Sequence, residues 1–258
     1  MLLKSMVAGK FYPEDPKILR KSIVKMLNNA VDFSNLKVPK AIIAPHAGYV
    51  YSGLVAAAAY VCLSKAKIKQ VVLLAPAHQY AVQGVATTAA EAYETPLGSV
   101  KIDQKTIAGL TIPFLNTVER AFKDEHSVEV HLPFLQILLN ELLLIPLLVG
   151  QSNENQVEKL LENLWGSDET LIIISSDLSH YHSYKEAKIL DEETAEAITQ
   201  LDASAISIDN ACGSIAIKGL LAVAAKKKMR VTQVDLCNSG DTSSSKDQVV
   251  GYGAFHFN

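Results

Sequence analysis

The sequence predicts an α/β fold with a central, mostly parallel or mixed sheet covered by helices on both faces. Three observations lead there. The runs AIIA, VVLLA and LIII are apolar at every position, so neither face of these strands is expected to meet water. Longer amphipathic segments alternate with them, as helices do when they cover such a sheet. The chain has 258 residues, 49% of them hydrophobic, which suffices for a core without disulfide or metal staples.

The elements follow in order. Asp15 can cap a first helix and Pro16 takes its first position, with Ile18, Leu19, Ile23, Met26 and Leu27 on one face. Residues 40–46, KAIIAPH, form a strand closed by Pro45. Residues 52–65 form a helix that packs closely through its run of alanines. The run 71–75 is a second apolar strand, again followed by proline and histidine, and 82–88 alternates like a strand. Residues 128–140 read as a helix with Pro133 in its first turn or kinking it. Residues 142–149 are apolar around Pro146, which predicts a bulge or a sheet edge, because proline cannot donate to a ladder. A strand at 171–174, helices at 186–200 and 213–227, and strands at 231–236 and 249–257 complete the order. No low-complexity stretch, linker or repeat divides the chain, so 1–258 is expected to be one domain.

Lys and Arg number 24 against 27 Asp and Glu, a formal net charge of −3. Without a basic surplus to neutralise phosphates, no nucleic-acid partner is expected. The longest apolar run, 54–63, is too short to cross a bilayer, and charges at Lys4 and Lys10 argue against a secretory signal. No membrane partner is expected either. An odd set of cysteines, Cys62, Cys212 and Cys237, describes no disulfide framework and suits a reducing, cytoplasmic setting.

Chemistry-bearing residues cluster after the apolar strands. His46 follows AIIAP, His78 follows VVLLAPA, Asp177 and His180 follow LIIISS, and Cys237 ends VTQVDLC. Ligands of open α/β sheets bind beyond the carboxyl ends of strands, so these groups are expected to meet at one edge. Two imidazoles and a thiolate suit a metal and leave coordination positions open, the mark of a reactive centre. The thiolate such a site would favour makes Cys237 the cysteine expected to oxidise most readily. Cys62, in its alanine-rich helix, reads as core, and Cys212, before Gly213 at a helix start, as structural. In EHSVEVHLPFLQ, residues 125–136, His126 and Glu129 share a face if the segment is helical, so the carboxylate could orient the imidazole. His131 would then point elsewhere. Asp177 could orient His180 as a general acid or base. Ser175 and Ser176 lack the elbow of a nucleophilic serine, and no phosphate-binding glycine motif is present.

Six stretches together resemble the Memo family: VAGKFYPEDP (7–16), APHAGYVYSG (44–53), LAPAHQ (74–79), EHSVEVHLPFLQ, SSDLSHYHSY (175–184) and CNSGDTSSSKDQVVGYGAF (237–255). The resemblance runs from one end of the chain to the other. It implies a fold similar to the class III non-haem iron extradiol dioxygenases, with cysteine in place of the carboxylate ligand. By that resemblance His46, His78 and Cys237 would bind iron(II) or copper, and zinc less readily. His180 would occupy the acid/base position, with Asp177 lining the same pocket. The family is also associated with a radical-SAM partner protein.

Three functions are compatible with this sequence. One is a metal-dependent oxidoreductase acting on a small molecule. Another is a peptide- or protein-binding module on a retired dioxygenase scaffold. The third is a zinc hydrolase. Ring cleavage does not follow from the fold, because a thiolate is softer than a carboxylate and can itself be oxidised.

Overall fold

The computed structural model describes residues 1–30, 37–243 and 245–258, apart from the side chain of Lys65. Its centre is built from β1 (Ala41–Ala44), β2 (Gln70–Pro76), β3 (Leu143–Val149), β4 (Thr170–Ser175), β5 (Val231–Asn238) and β6 (Val249–Phe257). They lie side by side in the order β3-β2-β4-β1-β6-β5. The first four are parallel, β6 is antiparallel to β1, and β5 is antiparallel to β6. Short strands, among them Val85–Thr87 and Gly98–Ile102, extend the β3 side, and His180–His182 pairs with the start of β6. The sheet is mixed and open, as the sequence predicts.

The helices form two groups. In the first, α1 (Pro16–Asn29), α2 (Tyr49–Tyr60) and α3 (Leu132–Leu138) pack on one another, and α2 lies against β1, β5 and β6. In the second, α4 (Glu154–Leu164) packs on α6 (Ser214–Lys226), α6 lies on β2 and β4, and α5 (Tyr184–Thr199) lies on β5 and β6. With helices covering them, β1 and β4 are buried at every residue. Among the described residues no helix is long and apolar enough to cross a membrane.

Local chemistry explains the boundaries. Asp15 Oδ1 accepts from the N–H groups of Lys17 and Ile18, which starts α1. Leu19 and Ile23 are buried, whereas Ile18 is 60% exposed, so the apolar face is narrower than the sequence suggests. The second helix starts earlier, at Tyr49, and tightens into a 3-10 turn at Val61–Lys65. The segment expected as one helix at 128–140 splits into a 3-10 turn, Glu129–His131, followed by α3.

Pro146 lies in an interior strand, not at an edge. The start of β3 pairs with Gly98–Ile102, and its end pairs with Val85–Thr87. Pro146 falls in the gap between them, and its carbonyl accepts from Thr87 Oγ1 at 3.2 Å. The nitrogen and carbonyl of one strand residue face the same side, so the missing donor meets this gap and not β2.

The carboxyl ends of β1 to β4 share one edge. β5 points the same way, but β6 separates it from β1, which places its end two strand spacings away, roughly 10 Å.

Close packing of α4 and α6 depends on Gly219. A Cβ there would lie 2.4 Å from Val157 Cγ1 and 3.1 Å from the Glu158 nitrogen. Gly219→Ala is therefore expected to destabilise the fold by about 1–3 kcal/mol, read as a lower urea midpoint. An unchanged midpoint would show that the two helices can separate without penalty.

Candidate metal centre

The chain turns at Pro45 beyond β1 and carries His46 over the end of β4. The His46 N–H donates to Asp177 Oδ1 at 2.8 Å. Its Nδ1 lies 2.7 Å from Ser175 Oγ. Ser175 is fully buried and donates its only hydroxyl proton to the Ser127 carbonyl at 2.7 Å. It must therefore accept from both His46 Nδ1 and His131 Nε2, the latter 2.8 Å away. This network assigns the proton of His46 to Nδ1 and leaves the Nε2 lone pair free. His131 in turn keeps its lone pair on Nδ1, where the Tyr60 hydroxyl donates at 2.7 Å.

His78 is oriented in a similar way. Glu125 Oε2 accepts its backbone N–H at 2.6 Å, and Oε1 accepts Nδ1–H at 3.0 Å. The His78 Nε2 is thereby left as the free nitrogen. Glu125 Oε1 also accepts the backbone N–H groups of His126 and Ser127, each at 3.0 Å. These donors hold the buried carboxyl down to about 2, against a burial that would raise it. The ring centroids of His46, His78 and His126 stand 5.2–5.6 Å apart, with His78 and His126 stacked.

Among the described residues two sets of ligand atoms lie within 4.8 Å of one another: His46, His78 and Cys212, and His78, Glu125 and His126. The first suits a metal better. Both of its imidazoles present an unprotonated nitrogen, whereas the Glu125 oxygens are already engaged by donors. Bonds of about 2.0–2.3 Å to one ion would draw the His46, His78 and Cys212 atoms only slightly closer.

The cysteine of this set is Cys212, which corrects the expectation for Cys237. Cys212 Sγ lies 3.6 Å from His46 Nε2 and 3.7 Å from the Asp177 carbonyl. Gly213 permits the approach: its N–H donates to Ser176 Oγ, and a Cβ there would stand 2.8 Å from the Ser175 carbonyl oxygen. Burial, then the Asp177 charge, pushes the Cys212 thiol up to about 12, a bias that a bound cation would reverse. Cys237 lies across β6, opposite Tyr252, in a hollow shared with Tyr184, Asp191 and Asp241. Burial and the carboxylates of Asp235, Asp241 and Asp191 push its thiol up to about 12. Those carboxylates oppose its thiolate, the reverse of the surroundings that would make it oxidise first. Cys62 is buried beside the Ala59 carbonyl, as a core cysteine should be.

Glu129 also stands elsewhere than expected. It accepts the Tyr12 hydroxyl and the N–H groups of Met6 and Val7, which ties the N-terminal segment to the 3-10 turn. His126 lies before that turn, so the two do not share a helix face. The carboxylate beside His126 is Glu125, 3.4 Å from its Nδ1. Its one signal in the sequence is that it immediately precedes His126.

Asp177 is buried, with Oδ2 4.0 Å from His46 Nε2, and burial raises its carboxyl. His180 donates from Nδ1 to the Leu178 carbonyl at 2.8 Å, which leaves Nε2 free. An imidazolium at His180 would lower the His46 imidazole and hold down the Asp177 carboxyl. The next residue, Tyr181, has φ 61°, a strained backbone for a non-glycine residue.

Burial holds His131 down to about 3, so the folded chain keeps it neutral. In the unfolded chain an imidazole titrates near about 6.5. The unfolded state therefore binds the extra proton between these values. Stability is full above about pH 6.5 and falls as pH drops toward 3, by up to about 1.4 kcal/mol per pH unit for this group. His131→Gln should flatten the slope of unfolding free energy against pH by about one proton. An unchanged slope would mean that His131 is charged in the fold.

The Memo-like protein family model matches residues 4–256. A MEMO1 family protein of Methanosarcina barkeri is 35% identical over 96% of this chain and 97% of its own. One from Saccharolobus solfataricus is 33% identical over 97% of each chain, and one from Aquifex aeolicus 35% over 95% of each. Family model and relatives each span nearly the whole chain, and the chain belongs to the Memo-like family.

Proposed function

We propose that this chain is a metal-dependent oxidoreductase that holds iron(II) or copper on His46, His78 and Cys212. The observation that carries this reading is that His46 and His78 both donate from Nδ1 and keep a free Nε2, and that each ring has a ligand atom within 4.8 Å of the Cys212 sulfur. Three protein ligands leave positions open for a small molecule. A thiolate in the set suits copper(I) and alters the potential of iron. When bound, such an ion supplies one-electron redox chemistry at those positions.

The remaining roles belong to the chain. Glu125 fixes the His78 ring. Asp177 holds the His46 backbone, and its raised carboxyl can carry a proton beside the pocket. His180 presents Nε2 as proton donor or acceptor, since the Leu178 carbonyl occupies Nδ1. His126, stacked on His78, closes the pocket wall.

Elemental analysis of protein purified without oxygen, followed by oxygen consumption, tests the reading. One iron or copper per chain is expected. His180→Ala should keep the metal and lose oxygen consumption. Zinc alone, or no metal, would refute the oxidoreductase reading. Loss of metal in His180→Ala would make His180 a ligand.

A further inference from the structure

A series of rings leads away from the candidate metal centre. His131 is joined to His46 through Ser175. From His131 the ring centroids step 6.1 Å to Tyr60, 5.6 Å to Phe134, 5.0 Å to Tyr49 and 5.5 Å to Tyr12. A second contact reaches the same place: Phe11, next to Tyr12, packs on His126 at 4.9 Å, and His126 stacks on His78. Tyr12 and Tyr49 line an open hollow of about 450 Å³ with Lys10, Phe11, Pro13 and Met26.

We propose that Tyr12 is a redox-active tyrosine with Glu129 as its proton acceptor, and that it carries oxidising equivalents from the metal centre to this hollow. The inference rests on the oxidoreductase reading for its natural oxidant, the ion in its higher oxidation state. In the step, Tyr12 gives one electron to that oxidant, which is reduced by one. The phenolic proton passes along the existing hydrogen bond to Glu129 Oε1. A neutral tyrosyl radical and a neutral carboxylic acid result, and one electron from a small reductant in the hollow, with the proton returning from Glu129 to the phenolic oxygen, restores the pair.

The three tyrosines of the series differ in what awaits the proton. Tyr49 donates to the Val130 carbonyl, which is no base. Tyr60 donates to His131, where protonation would create a buried imidazolium that burial strongly opposes. Tyr12 donates to a buried carboxylate whose protonation burial favours. Oxidation at Tyr12 removes a buried charge, whereas oxidation at Tyr60 adds one, so the radical settles at Tyr12. Tyr184 also donates to a carboxylate, Asp241, but it lies outside the series and serves as a control.

Electron paramagnetic resonance tests this in two arms on samples of known metal content. In the first, copper- or iron-loaded protein is frozen after addition of hydrogen peroxide. In the second, metal-free protein is oxidised by a photogenerated ruthenium(III) polypyridyl complex. A tyrosyl radical is expected in both, lost in Tyr12→Phe and in Glu129→Gln, and retained in Tyr184→Phe. Matching thermal melts identify variants that remain folded, and Tyr12→Phe keeps the ring that packs on Tyr49. An equal signal in Tyr12→Phe, or no tyrosyl radical in wild-type protein in the photochemical arm, would overturn the assignment. A signal in the photochemical arm but none in metal-loaded, peroxide-treated protein would overturn the connection to the centre. Failure to bind metal would refute the oxidoreductase reading, and the photochemical arm would still decide the role of Tyr12.

Discussion

The candidate site depends on a single hydroxyl. Ser175 ends β4, fully buried, and has one proton to give. The Ser127 carbonyl takes it, so the two imidazoles that reach Ser175 must donate. That constraint fixes two tautomers at once and aims the free nitrogen of His46 at Cys212. It also joins four parts of the chain: the end of β4, the loop after β1, the turn at 127 and the 3-10 turn at 131. Removing the hydroxyl would orphan two buried donors, at about 1–3 kcal/mol each. Ser175 is thus a positioning residue and not a nucleophile, as the absence of an elbow motif suggested.

The sheet determines which groups can share the pocket. Parallel strands deliver His46, His78 and Asp177 to one edge because their loops leave adjacent strands. Glycine at 213 lets the segment before α6 press on the end of β4, and Cys212 arrives with it. β5 points the same way but lies beyond β6, so its cysteine ends among carboxylates. Direction alone does not bring residues together; adjacency in the sheet must accompany it.

These facts explain what was legible in the sequence. The apolar runs identified the central strands, and residue order placed His46, His78, Asp177 and His180 correctly after them. The order of strands in space is not written in local pattern, and for that reason Cys237 looked equivalent to the others. Cys212 was hidden because it follows a turn and not a strand. His126 and Glu129 share a face only in a continuous helix, whereas helical structure begins only after Ser127. Pro146 reads as a bulge or a sheet edge because sequence does not reveal that two partners share one side of β3. His131 looked peripheral, yet it sits directly beneath His46 in the hydrogen-bond network.

In the proposed centre the sulfur ligand is that of Cys212. Cobalt(II) reports it directly, because a bound thiolate gives an intense charge-transfer absorption in the near ultraviolet. Cobalt-loaded wild-type protein and Cys237→Ser should both show that band, and Cys212→Ser should lack it. A band that survives in Cys212→Ser and vanishes in Cys237→Ser would contradict the account.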